Sequence, residues 1–317
     1  MKLTDLGERE IIKKLEGFLE IGDDAAYLKI NDEFLVLTTD MIYKSTHLPK
    51  QMTYEQIGRL IVTVNLSDIA AMGAKPLAFL LSYGSNDIEF DDFYEIINGV
   101  KEQCERYDTK FVGGDTNQMD ELTLSGAAVG MTKKPILRST AEIGDVIAVT
   151  GDIGSAGVGT EIILNNLLDN LDNPAIKKAL EPEPKIDEGL FLGKYANSMT
   201  DISDSLAVSL YDIAEQSGVG IEIYLNKIPV SQNARDLAHE LNLNLFNSII
   251  YGAGDYELLF SIPEKFLNEI NSIVKFKVTR IGRIIRGNEI FGIKNNERIK
   301  IEKIGYEHFV RQIVRQK

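Results

Sequence analysis

Acidic side chains recur in this chain where an apolar run gives way to a loop, and several stand beside a hydroxyl. Asp24 follows Gly22 in "IGDDAA", Asp40 closes "LVLTTD" behind Thr38 and Thr39, and Asp68 lies in "NLSD". Asp115 follows two glycines in "VGGDT", and Asp201 and Asp204 bracket "DISD". Each alone could be a helix cap or a turn residue, because Asp, Ser and Thr accept backbone N–H bonds there. As a set they are hard oxygen donors of the kind that hold Mg2+. Two carboxylates about 5 Å apart repel by roughly 3 kcal/mol at an effective dielectric near 20, so their convergence would call for counter-cations. Mg2+ held by few protein oxygens completes its shell with water and substrate phosphates, which points to a metal–nucleotide site. No G-x-x-x-x-G-K-[ST] loop and no H-R-D or D-F-G pair is present, so phosphate would be handled by carboxylate-bound metal and not by a lysine cradle. "TGDIGSAGVGT" lacks the G-x-G-x-x-G register and reads as a strand-to-helix turn.

The elements that would position these acids follow from periodicity. Residues 3–20 read as a helix, and "AAYLKI" and "EFLVLTTD" as strands. "TYEQIGRLIVTVNLSDIAAMGA" carries apolar residues at helical spacing and stops at Gly73 before Lys75-Pro76. "LAFLLSYG", "TKFVGGD" and "ELTLSGAAVGM" read as strands with a helix over 90–106, and "DVIAVTGDIGSAGVGTEIIL" as strand, glycine-rich loop and helix. Helices over roughly 186–197 and after "MTDISD", strands at "IEIYL" and "LLFSI", and short strands in the tail complete the pattern. The elements do not alternate as regular β-α-β units, so α+β is expected over a doubly wound sheet. A boundary near residue 140 gives two domains, 1–140 and 141–317.

Composition narrows the class. The chain has 317 residues, 44% apolar, enough to bury a sizeable core. A formal net charge of −14 argues against a nucleic-acid partner, which needs a basic face. No run of apolar residues is long enough to span a membrane, and the charged start is unlike a signal peptide. The single cysteine, Cys104, rules out an internal disulfide framework and fits a cytoplasmic location. His47, His239 and His308 are too scattered to suggest zinc.

"IGDDAA", "TTDM" with His47 seven residues after Asp40, "VNLSDIAAMGAKP", "VGGDT", "GDVIAVTGDIG", "DISDSL", "GAGDYELLF" and "GYEHF" occur in one order along nearly the whole chain. Together they resemble the thiamine-monophosphate kinases of the aminoimidazole-ribonucleotide-synthetase-like superfamily. The resemblance implies ATP- and Mg2+-dependent phosphorylation of thiamine monophosphate to thiamine diphosphate by direct in-line transfer. It implies Mg2+ ligands at Asp24, Thr38, Thr39, Asp40, Asp68, Asp115, Asp201 and Asp204, with Asp40, Asp68 and Asp204 central to catalysis. ATP would contact Gly114, Asp115, Arg138 and Ser203. Thiamine monophosphate would meet His47, Tyr306 and a point near Gly254. The implied fold is an N-terminal α/β sheet domain that pairs as a homodimer, with a C-terminal α+β domain closing the cleft. Another ATP-dependent synthetase of the superfamily, of the purine-biosynthesis type, is the alternative.

The chemistry suits such a transfer, because an acceptor phosphate oxygen is already ionised near pH 7 and needs no strong base. Gly113 and Gly114 would leave backbone N–H groups open to a phosphate, and Arg138 can fork onto one. Two positions depart from the resembled pattern. "GAGDYEL" stands for "GGEDYEL", placing Gly254 where a glutamate is common, and "DISDSL" puts Ser205 in place of a glycine. Recognition near Gly254 would then use backbone, water or Asp255.

Overall fold

The computed structural model describes residues 2–16, 18, 19 and 21–309. Its first half is a five-stranded sheet in the order β1-β2-β5-β3-β4. The strands are β1 (Ala26–Ile30), β2 (Glu33–Tyr43), β3 (Lys75–Ser85), β4 (Lys110–Gln118) and β5 (Thr123–Thr132). Helices α1 (Glu8–Leu15), α2 (Lys44–His47), α3 (Tyr54–Ala71) and α4 (Phe90–Arg106) belong to the same half. The expected helix over 3–20 is shorter because Gly7 takes φ +81, which separates a 3-10 turn at Leu3–Asp5 from α1; Gly17 and Glu20 lie outside the described residues.

Helix α3 organises this half. Thr53 caps it by accepting from the Gln56 N–H, while the Gln56 side chain accepts from the Thr53 N–H, a reciprocal pair that fixes the first turn. Ile61, Val62, Leu66 and Ile69 are fully buried, so the helix is wrapped on nearly all sides. It packs on β2 and β5 and lies close against α4, where a methyl added at Gly58 or Gly99 would overlap the facing backbone. Strand alternation sends Val36, Thr38, Asp40 and Ile42 of β2 toward α3, and turns Thr39 and Met41 to the other, uncovered side.

The second half is a seven-stranded sheet in the order β12-β11-β8-β10-β6-β9-β7. Its strands are β6 (Val146–Thr150), β7 (Ser198–Asp201), β8 (Gly220–Tyr224), β9 (Leu258–Ile262), β10 (Val278–Ile285), β11 (Ile290–Lys294) and β12 (Glu297–Lys300). Its helices are α5 (Ser155–Leu164), α6 (Pro174–Leu180), α7 (Ile186–Leu192), α8 (Leu206–Ser217), α9 (Gln232–Glu240), α10 (Leu245–Ile250) and α11 (Glu264–Ile273). Every residue of β6 and β9 is buried, as expected of central strands covered on both faces. Ala148 and Phe260 pack with Val158 and Ile162 of α5, while Ile147, Val149 and Leu259 pack with Leu206 and Leu210 of α8.

The first core runs from Ile61 and Leu66 of α3 through to Val146 and Phe260, so apolar packing is continuous across the seam between halves. Arg59 pairs with Glu181 at 3.2 Å, Arg106 pairs with Glu183 at 2.5 Å, and the Thr63 hydroxyl donates to the Pro182 carbonyl, which adds polar ties to the same seam. No helix among the described residues is long and apolar enough to cross a membrane.

Candidate active site

The seam brings acids from both halves together. Asp68 projects from the last turns of α3, Asp24 from the loop after Gly22, and Asp201 from the end of β7, with carboxylate oxygens within 4.8 Å of one another. Hydroxyls from adjacent positions hold them: Thr38 Oγ1 donates to Asp68 at 2.5 Å, Ser67 Oγ to Asp201 at 2.6 Å, and Thr200 Oγ1 to Asp24 at 2.8 Å. The Ser203 hydroxyl donates to the other Asp201 oxygen at 3.2 Å. A hydroxyl from each of "TTD", "LSD" and "ISD" is thus part of the cluster's wiring, within the first half for Thr38, across the seam for Ser67 and within its own motif for Ser203.

Like charges this close distort the acids. Burial, reinforced by Asp40, Asp201 and Asp24, holds the Asp68 carboxyl well above the usual carboxylate range. Asp201 is pushed up to about 7 by burial and by Asp24. Burial also raises Asp40, against the pull of its hydrogen bond with Asp68. Asp204, in the turn before α8, rises to about 7 through burial, offset by the Arg9 guanidinium 3.7 Å away. A pair at the observed separation repels by about 3 kcal/mol at an effective dielectric near 20. Hard donors, mutual repulsion and scarce compensating cations are what a divalent-cation site requires.

Beside Asp204 stands a wall of rings. His47 lies 5.2 Å from Tyr43, 5.2 Å from His308 and 5.8 Å from Tyr306, centroid to centroid, and Tyr306 lies 5.0 Å from His308. The Tyr43 N–H donates to His47 Nδ1, and burial with His308 alongside lowers His47 to about 4, so this imidazole is neutral at physiological pH. Neutral aromatic faces beside acids suit a flat cationic ring. The Tyr306 N–H donates to the Asp204 carbonyl at 3.1 Å, which joins wall and cluster.

With this geometry in place, the relatives are informative. The AIR synthase related protein N-terminal domain family matches residues 22–132, and the corresponding C-terminal domain family matches residues 142–295. The thiamine-monophosphate kinase of Pyrococcus abyssi is 35% identical over 311 residues, covering 96% of this chain and 97% of that protein. The thiamine-monophosphate kinase of Methanospirillum hungatei is 37% identical over 302 residues, with 94% and 97% covered. The chain belongs to the thiamine-monophosphate kinase family. The solved structure of AaThiL complexed with AMPPCP and TMP superposes with a TM-score of 0.89 at 31% identity, covering 97% of this chain and 99% of that one. The two-domain α+β, AIR-synthase-like fold is therefore that of the family.

Against the family pattern, the structure gathers Asp24, Thr38, Asp40, Asp68, Asp201 and Asp204 on one side of the sheet and at the seam. It does not bring Thr39 or Asp115 to them within one chain. Thr39 turns away from α3, and its hydroxyl donates to the Gly126 carbonyl. Asp115 and Gly114 sit on β4, at the opposite edge of the sheet from β1 and three strand spacings from β2, roughly 14 Å. Asp115 pairs across with Ser82, whose side chain also faces the uncovered side, and accepts from Asn117. The period-2 alternation of strands separates Thr38 from Thr39, which a motif read as a unit conceals. Gly114 has a packing reason as well, since a methyl there would overlap the Leu81 carbonyl.

Arg138, expected at ATP, is committed elsewhere. Its guanidinium donates to Asp24 at 2.6 and 3.2 Å, to the Thr200 hydroxyl and to the Gly22 carbonyl, and pairs with Asp212 at 3.6 Å. Asp255, offered above as a substitute for the missing glutamate, instead caps α5 by accepting from the Gly154 and Ala156 N–H groups. Gly254 sits at φ +91 with its N–H on the Ser203 carbonyl, and a Cβ there would meet the Ala156 methyl at an ordinary 3.7 Å, so backbone conformation and not crowding favours glycine. Ser205 caps α8 and donates to the Ile304 carbonyl, so it anchors the segment that carries Tyr306. Sequence reasoning missed Tyr43, Arg9 and Tyr256. Tyr256 holds the left-handed φ of +49, and burial with Asp201, Asp40, Asp204 and Asp68 nearby raises its phenol well above its ordinary range. His308 was visible in "GYEHF" but carried no assigned role.

Proposed function

We propose that this chain transfers the γ-phosphoryl group of ATP to thiamine monophosphate, giving thiamine diphosphate and ADP. The observation that carries this reading is the convergence of Asp24, Asp68 and Asp201 beside the ring wall of His47 and Tyr306. Mg2+ would be held by Asp24, Thr38, Asp40, Asp68, Asp201 and Asp204, and would neutralise phosphate charge there. An oxygen of the acceptor phosphate attacks the γ-phosphorus in line; the bond to the β,γ-bridging oxygen breaks, and its electron pair leaves on ADP. The acceptor oxygen is ionised near neutral pH, so no side chain need remove a proton, in keeping with the neutral His47. His47 and Tyr306 orient the thiamine rings and Ser203 contacts ATP, while the backbone beside Gly254 takes the place of a side-chain contact. Arg138 acts by fixing Asp24 and not by reaching the nucleotide.

We assign residues 1–140 to metal and ATP binding and dimerisation, and residues 141–317 to closing the cleft. The uncovered face of the first sheet exposes Leu28, Met41, Leu80 and Val112, an apolar surface suited to a second copy of the same sheet. Thr39, Gly114 and Asp115 belong to the strands of that sheet, so the ligand roles of Thr39 and Asp115 stand or fall with its pairing. The reaction is placed in the cytoplasm, in keeping with a single reduced cysteine.

Purified protein given γ-labelled ATP, Mg2+ and thiamine monophosphate should form labelled thiamine diphosphate and ADP in equal amounts, and chelator should abolish both. Hydrolysis of ATP without labelled diphosphate would refute the reading.

A further inference from the structure

Residues 301–309 form a strap without regular secondary structure, and it carries Tyr306 and His308 into the ring wall. Its start is anchored by the buried Ile301, whose N–H donates to the Ile290 carbonyl and whose carbonyl accepts from the Tyr211 hydroxyl, and by Lys303 with Asp212 and Glu215; its far end, with Tyr306 and His308, is placed by the bonds made to it. Two come from the site side: the Tyr306 N–H to the Asp204 carbonyl, and the Ser205 hydroxyl to the Ile304 carbonyl. The others come from the first turn of α1. The Glu8 N–H donates to the His308 carbonyl at 3.2 Å, and the Glu8 carboxylate accepts from the His308 N–H at 3.1 Å. Arg9 donates through Nη2 to the Tyr306 carbonyl and through Nη1 to the Glu307 carboxylate, each at 2.7 Å, and its own N–H also reaches Glu307. The same guanidinium stands 3.7 Å from Asp204.

We propose that Arg9 is a positioning residue that holds the Tyr306–His308 strap in register with Asp204 and so sets affinity for the acceptor. A planar fork can serve a carbonyl, a carboxylate and a neighbouring charge at once; a lysine ammonium on a flexible stem cannot fix all three directions. Arg9 is also a cation placed beside the wall, whereas Arg138 is taken up by Asp24 and Asp212, and Lys178 and Lys185 by Glu257. Arg9 bonds to the strap and stands off the Asp24–Asp68–Asp201 group, touching the proposed metal site only through Asp204, so its loss should weaken acceptor binding more than nucleotide binding.

The kinetic part of the test rests on the acceptor assigned above; the structural part does not. The chain has no tryptophan, so Tyr306→Trp supplies a single reporter on the strap. Adding Arg9→Met to that background should raise acrylamide quenching of the reporter. Arg9→Met in the natural chain should raise KM for thiamine monophosphate about tenfold, the equivalent of one or two hydrogen bonds, with a distinctly smaller effect on KM for ATP. Arg9→Lys, which keeps the charge and the fold but loses the fork, should shift both readouts the same way, and it decides the matter if Arg9→Met does not fold. Unchanged quenching, or a parallel rise in KM for ATP, would overturn the proposal. If the natural chain leaves thiamine monophosphate untouched, the kinase reading falls and quenching alone judges Arg9.

Discussion

The acid cluster should make the metal-free protein less stable as pH rises, and Asp201→Asn should remove much of that effect. Asp201 titrates near 7 in the folded chain because it is buried beside Asp24, whereas an unfolded Asp titrates near 3.9. Between those values the folded chain keeps a proton that the unfolded chain has released. Stability is therefore full below pH 4, declines as pH rises, and carries the whole penalty above pH 7. Holding this proton up to about 7 instead of about 3.9 corresponds to about 4 kcal/mol, comparable to the repulsion of one pair at the cluster's spacing. Asp68 and Asp40 are raised by the same causes and add in the same direction. Asn keeps the shape, and its carbonyl oxygen can still accept from Ser67. Urea unfolding in chelator should show the natural chain losing stability between about pH 4 and pH 8, with the variant the more stable by up to about 4 kcal/mol at the upper end. Mg2+ at about one hundred times its Kd should restore about 2.7 kcal/mol to the natural chain and distinctly less to the variant. A natural chain whose stability rises with pH in chelator, or a variant less stable at high pH, would refute the electrostatic reasoning.

Two further outcomes are expected. Arg138→Met strands the Asp24 carboxylate, whose side chain is 1% exposed, and should cost about 3–5 kcal/mol in denaturant unfolding; loss of activity without loss of stability would instead make Arg138 a nucleotide ligand. Leu80→Glu places a charge on the uncovered sheet face and should convert a dimer to a monomer in light scattering, and a mass that is unchanged or monomeric from the outset would remove the proposed interface.

Much of the fold could be read from the sequence because local signals agreed with the tertiary context. For α3 the Thr53–Gln56 pair, the helical spacing and Gly73 at φ +63 all mark the same boundaries. Helix α6 went unread although Asn173 caps it and Pro174 opens it. The acids were legible because each stands beside a hydroxyl or glycine at an element end. What the sequence concealed was direction: adjacent Thr38 and Thr39 differ only in which side of the sheet they face, and only strand register places Asp115 far from Asp40. Arg138 was concealed for another reason, since nothing local reveals that Asp24, Asp212 and Thr200 surround it.

The distribution of cations explains why the cluster can exist at all without being inert. Arg138 ties the loop bearing Asp24 to Thr200 and Asp212 in the second half, so one acid is neutralised by a fixed partner that also locks the seam. Asp68 and Asp201 receive hydroxyl donors in place of cations, which orient their oxygens but leave their charge uncompensated, and both stay protonated longer than an ordinary carboxylate. Lysine or arginine partners there would stabilise the resting protein and close the site to any other cation. A continuous apolar core across the seam supplies the stability instead, with α3 carrying both the buried face that holds the halves together and the acid that lies between them. The site's electrostatic strain is thus supported by packing, and it is available to be relieved by whatever divalent cation and phosphate enter together.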